Sequence, residues 1–201
     1  MSDGIGTLEA RIGETPRVPP LRPEDFGEDA LRIAAMLRET FGLPEIGDVP
    51  DAVATMIRHP LLYQAQMEFV ARRFPLLVFS RRDFELIVLR TAWVCRSDYL
   101  WGEHVKAGKV HGLSNDEIER IAQGPDSPGW GERDKAILQA VDDLHRDMRI
   151  SDEVWTVLAR HLDEKELIEL LHLVGFHHEI AFTYNSLGVR LIPGNAGLAA
   201  R

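Results

Sequence analysis

Sulfur is scarce in this chain: Cys95 is the one cysteine among 201 residues. A single thiol closes no intramolecular disulfide and builds no zinc ribbon, and it suits a reducing cytoplasm. Long apolar runs are missing as well. No stretch approaches the roughly 20 residues that span a bilayer, and the N-terminal MSDGIGTLEARIGETPRVPP has no apolar core of the signal-peptide kind. The expected location is therefore cytoplasmic, with no membrane partner. Positive charge is in short supply, since 23 Lys+Arg against 32 Asp+Glu leave a formal net charge of −9. A nucleic-acid binder needs clustered cations to neutralise phosphate, so nucleic acid is not an expected partner. Period-two alternation fails over any useful length, and confident strands are not expected. Walker, Rossmann and nucleophile-elbow patterns are absent, and Gly194-Asn195-Ala196-Gly197 has no helix signal after it.

What remains is helical spacing. Residues 1–23 hold Pro16, Pro19, Pro20 and Pro23 among Gly and charge, and read as an arm, extended or disordered on its own. Residues 24–201 read as a single all-α domain. Leu31, Ala34, Ala35 and Leu37 form the apolar face of a first helix closed by Phe41-Gly42. Further helices are predicted at about 49–58, ended by Pro60, and at 61–74, 81–95, 98–109, 115–122, 131–147, 152–161 and 164–187. Ser80/Asp83, Ser114/Glu117 and Asp163/Glu166 carry the spacing of helix-opening capping boxes. Gly124-Pro125-Asp126-Ser127-Pro128-Gly129 is the clearest break, read as a surface loop inside one bundle.

Glu85–His104 reads ELIVLRTAWVCRSDYLWGEH. It resembles the active-site segment of the carboxymuconolactone decarboxylase/alkylhydroperoxidase-D-like superfamily, whose redox branch has Glu, eleven residues, Cys, two residues, Cys, three residues, His. Aligned on Glu85, the two thiol positions hold Ser97 and Leu100, the position of an extra relay histidine holds Tyr99, and the final histidine is His104. The acid and the last imidazole are present and both thiols are gone. His59-Pro60, GLSNDEIERI at 112–121 and NSLGV at 185–189 extend the resemblance over most of the chain beyond residue 40. The resemblance implies a compact all-α bundle of about eight to nine helices, assembly into dimers, trimers or hexamers, and no metal or organic cofactor.

Each candidate residue has a functional and a plain reading. Glu85 lies in the first turn of a helix rich in Leu86, Ile87, Leu89, Ala92 and Trp93. A carboxylate there is either a proton-transfer group in apolar surroundings or an acid favourable to the helix dipole, paired with Arg81 or Arg82. His104 is either a group that exchanges protons near neutrality or a hydrogen-bonded core histidine. Tyr99 offers a phenolic donor. Trp101 is packing or pocket wall, and Glu103 faces Lys106 or Lys109.

Cys95, two residues before the first thiol position, is either a buried small hydrophobe or a peroxidatic thiol needing a resolving partner from another molecule. His172 lies about 140° from His177 and about 120° from His178 around a helix, so these three share no chelating face. His178 and Asn185 fall on a line with Leu171, Val174 and Ala181. Both match polar positions of the resembled branch's last helix, where they orient substrate or satisfy each other.

Three functions follow. The first is a cofactor-free acid–base enzyme of the decarboxylase/lyase type acting on a small organic acid or lactone. In it Glu85 and His104 exchange protons, Tyr99 steadies an oxyanion, and His178, Asn185 and Trp101 hold substrate. The second is a peroxiredoxin-like antioxidant activity of Cys95. The third is a non-catalytic oligomeric protein that binds a small molecule.

Overall fold

The computed structural model describes residues 15–41 and 49–201, and these contain no strand. Nine α-helices run in chain order among them: α1 Glu28–Phe41, α2 Asp51–Met56, α3 Pro60–Arg73, α4 Arg81–Val94, α5 Asp98–Val110, α6 Asn115–Gln123, α7 Glu132–Asp147, α8 Asp152–His161 and α9 Glu164–Leu187. The all-α expectation holds. Most of the arm, residues 1–14, and Gly42, the expected stop of α1, lie outside the described residues.

The chain divides into two compact units. One contains the described residues through Leu77 with Ser186–Pro193; the other contains Val78–Asn185 with Gly194–Arg201. In the first, Ala30, Ile33, Ala34 and Leu37 of α1 pack with Phe26, Val53, Ile57 and Tyr63. This buried face is offset from the expected one: Leu31 is exposed, as is Ala35. Ala30 and Ile33, at i, i+3 and i+4 spacing to Ala34 and Leu37, complete the stripe instead. The proline-rich segment is pinned by its backbone, with Arg17 N–H donating to Leu187 O at 2.9 Å and Leu21 N–H to Ala54 O at 2.9 Å. Pro60 starts α3 rather than only ending α2, because its missing N–H costs nothing at a first helical position; His59 caps it with φ −118°.

The second unit is built around α4, which packs on α5, α6 and α7, while α7 also packs on α8. Asp83 through Ala92 of α4 are all buried, so this helix is enclosed on every side rather than amphipathic. The guanidinium of buried Arg90 donates to both carboxylate oxygens of Asp142 on α7 at 2.6 and 2.7 Å, and to Ile121 O of α6 at 2.8 Å. Gly124 ends α6 with φ 110° above that guanidinium, where a Cβ would sit 3.1 Å from it. The loop at 124–129 joins α6 to α7 within this unit.

Helix starts follow the capping signals in part. Ser114 and Glu117 form a reciprocal box, and so do Asp163 and Glu166. Ser80 accepts from Asp83 N–H, but the Asp83 carboxylate turns to Arg82 and Arg133.

Candidate functional site

Burial and pairing single out the N-terminal half of α4. Glu85 is the fifth residue of that helix, one beyond the first turn expected for it; Asp83 is the first-turn acid. The Glu85 carboxylate is buried, and Oε2 lies 2.7 Å from Nδ1 of His104 on α5. The two motif ends, 19 residues apart, thus meet in the interior. Arg82, one of the two bases expected to pair with Glu85, instead holds Asp83, Glu117 and Asp134.

Aromatic edges wall the pair. The His104 ring meets the His177 ring at 5.8 Å and 89°, and the Phe84 ring at 6.2 Å. His177, on α9, is buried and also lies edge-on to Phe84 at 5.6 Å. Its Nδ1 lies 2.7 Å from Leu173 O, so Nδ1 carries the hydrogen. Sequence reasoning weighs His177 only as a metal ligand and misses this role beside His104. A signal was present: Leu170, Leu173, Val174 and Ala181 define the buried face of α9 that includes it.

The remaining candidates have other partners. Tyr99 shares α5 with His104 but packs edge-on against Tyr184 at 5.1 Å. Trp101 is fully buried, donates from Nε1 to Ala200 O at 3.1 Å, and packs against Trp93 at 4.9 Å. Asn195 closes the same face: it donates to Tyr99 O and to Glu103, and it lies so near α5 that a Cβ on Gly102 would be 1.8 Å from its Oδ1. A side chain at position 102 would therefore force Asn195 to shift. Glu103 also takes Lys106, as its position suggested.

Ser97, at the first thiol position, is fully buried, and its Oγ has no hydrogen-bond partner among the described residues. Leu100, at the second, is buried.

A second cluster forms at the other end of α4. Cys95 is the C-cap of that helix, and Arg96 at φ 50° turns the chain toward α5. His145 Nδ1 lies 3.8 Å from Cys95 Sγ and 3.0 Å from His178 Nε2, while Asn185 donates to Cys95 O at 2.9 Å. The expected line through Leu171, His178 and Asn185 is not inward throughout. Leu171 and Asn185 are exposed, because the buried face centres on Leu173, Val174, His177 and His178. His172 is exposed, unlike His177 and His178, as the helical geometry required.

Burial pushes the Cys95 thiol up to about 12. Burial also lowers His145, helped by His178 and Arg90 and opposed by Asp142.

The helical architecture that carries these two clusters is shared with known proteins. Residues 60–143 match the carboxymuconolactone decarboxylase family. An alkylhydroperoxidase AhpD core, a peroxidase-related protein from Ralstonia eutropha JMP134, superposes with TM-score 0.70 at 15% identity, over 92% of this chain and 98% of that chain. The debrominase Bmp8, in its apo form, gives TM-score 0.69 at 14% identity, covering 96% of each chain. A protein of unknown function from Agrobacterium tumefaciens gives 0.61 at 20% identity, over 66% of this chain and 92% of that one. At these identities the likeness is one of fold. No curated protein matches. Residues 60–143 are thus similar to the carboxymuconolactone decarboxylase family, and the all-α fold is of the AhpD-like type. Among the described residues no helix is long and apolar enough to cross a membrane.

Proposed function

We propose that this protein is a cofactor-free acid–base enzyme of the decarboxylase/lyase type, acting on a small organic acid or lactone through Glu85 and His104. The supporting observation is the 2.7 Å contact between Glu85 Oε2 and His104 Nδ1 in the interior. With Glu85 ionised, Nδ1–H of His104 donates to it, and Nε2 is the atom that exchanges protons with substrate. The carboxylate fixes the tautomer and steadies the imidazolium when it forms. In a decarboxylation the C–C bond to the carboxylate breaks, its electron pair passes into the adjacent carbonyl as an enolate, CO₂ leaves, and His104 returns a proton to carbon.

A thiol peroxidase reading draws less support. Both dithiol positions lack sulfur, and burial pushes the lone thiol of Cys95 up to about 12, away from the nucleophilic thiolate. We also read the protein as a homo-oligomer, supported by exposed Leu61, Leu62 and Phe69 on α3 with Leu76 beyond it; light scattering after size exclusion tests this.

The experiment is a panel of small lactone carboxylic acids and β-keto acids incubated with parent, Glu85→Gln and His104→Asn in deuterated buffer, following CO₂ release and deuterium at carbon. The parent is expected to turn over at least one acid, and both variants to lose on the order of 10²–10⁴ in rate with helical content intact. Equal rates in parent and Glu85→Gln overturn the assignment. Thermal stabilisation by these acids with no turnover overturns it too, in favour of a binding protein.

A further inference from the structure

The proposed proton transfer between Glu85 and His104 leaves the cluster at the C-terminal end of α4 unassigned. Cys95 caps α4, His145 lies in the last turn of α7 and His178 lies on α9. Their ligating atoms, Cys95 Sγ, His145 Nδ1 and His178 Nε2, all fall within 4.8 Å of one another. We propose that Cys95, His145 and His178 form a three-ligand site for a divalent transition ion of the zinc class, with its fourth position open to water or an exogenous ligand.

Spacing is the first argument. Tetrahedral zinc with Zn–S of about 2.3 Å and Zn–N of about 2.0–2.1 Å separates sulfur from nitrogen by about 3.6 Å and two nitrogens by about 3.3 Å. The cluster shows 3.8 Å for Cys95 Sγ to His145 Nδ1 and 3.0 Å for His145 Nδ1 to His178 Nε2. Small side-chain movements convert one set into the other.

Ligand orientation is the second. His178 Nδ1 lies 2.9 Å from Val174 O, a carbonyl that can only accept. The hydrogen therefore sits on Nδ1, and the Nε2 lone pair points into the cluster, the arrangement that metal-bound histidines take from their outer partners. Asn185 holds the Cys95 carbonyl at 2.9 Å and so fixes the backbone behind the thiol.

The third argument is that the three groups do not satisfy one another in pairs. His178 Nε2 offers only a lone pair, so His145 must put its hydrogen on Nδ1 to meet it. That nitrogen then has no lone pair for the Cys95 thiol, its other neighbour. A cation that displaces the thiol proton to solvent, with the His145 hydrogen moved to Nε2, accepts all three lone pairs at once. One thiolate and two imidazoles suit zinc, cobalt or copper rather than magnesium or calcium. The nearby positive charge of Arg90 is met by both oxygens of Asp142. His145 is only partly buried and provides the way in.

Chelator-treated protein titrated with zinc chloride, followed by calorimetry, tests the proposal, with cobalt(II) as an optical probe of the same site. The parent is expected to take up one ion per chain, and its cobalt form to show thiolate-to-metal charge transfer with tetrahedral d–d bands. Cys95→Ser should abolish the charge-transfer band, and His145→Ala, at a partly buried position, should weaken zinc at least tenfold. Zinc should also protect Cys95 from alkylation in the parent. Glu85→Gln should bind as the parent does, which separates this outcome from failure of the acid–base reading. Absence of stoichiometric uptake, or uptake undiminished in both Cys95→Ser and His145→Ala, overturns the site.

Discussion

His177 and His178 are consecutive residues of α9, yet their imidazoles serve different clusters. His177 lies edge-on to His104 at 5.8 Å, beside Glu85; His178 places Nε2 3.0 Å from His145, beside Cys95. A helix turns about 100° per residue, so neighbours in sequence face different partners. Glu85 and Cys95 bracket α4 in the same way, ten residues or about 15 Å of helix apart. One long helix and one enclosed helix thus build two polar clusters.

His177 is expected to matter as a packing residue of the first cluster. His177→Ala removes a buried ring that touches His104, Phe84 and Phe176, and should cost about 2–4 kcal/mol in urea unfolding. His177→Phe keeps the aromatic edges and should cost under about 1.5 kcal/mol. Equal losses for the two would show that the nitrogens, not the ring volume, hold the site.

The Arg90–Asp142 pair links α4 to α7 from a buried position. Arg90→Met leaves Asp142 without its partner and two carbonyls of α6 without a donor, and should destabilise by about 3–5 kcal/mol. The double variant Arg90→Met/Asp142→Leu should recover part of that loss, because no uncompensated charge remains. Additive losses in the cycle would contradict this.

Ser97 carries a buried hydroxyl with no partner among the described residues. Removing it relieves a desolvation cost of about 1–3 kcal/mol less whatever packing the oxygen supplied. Ser97→Ala is therefore expected to be neutral or stabilising in chemical unfolding. A loss above about 1 kcal/mol would mean that Oγ makes an interaction of its own.

Acid should weaken the junction of α4, α6 and α7. Burial alone would raise Glu117, but hydrogen bonds from Ser114 N–H and Arg82 outweigh it and hold the carboxylate at about 2, below its ordinary 4.5. Its folded value is depressed, so the stability it contributes is present above pH 4.5 and is lost as pH falls toward 2. Glu117→Gln should flatten the pH dependence of unfolding midpoints across that window. Parallel curves for parent and variant would assign the acid sensitivity elsewhere.

Much of this was legible in the residue order. Helix starts at Ser114 and Asp163, and the stop before Pro60, are local effects of capping and proline geometry, which act within one turn. Glu85 and His104 were legible through their motif spacing, although their contact was not. The offset of the buried face on α1, from Leu31 to Ile33, was missed because alanines fit either side of a helix. Trp101 read as either packing or pocket wall; the C-terminal segment that covers it is nearly a hundred residues away.

The sequence by itself determined that the chain is helical, where most helices begin and end, and that no dithiol is available, because periodicity, capping and the absence of a second cysteine are properties of neighbouring residues or of simple counts. Only the tertiary structure decided which polar groups meet. Cys95 and His145 are separated by 50 residues and His145 and His178 by 33, so their meeting depends on how α4, α7 and α9 pack, which no local pattern encodes.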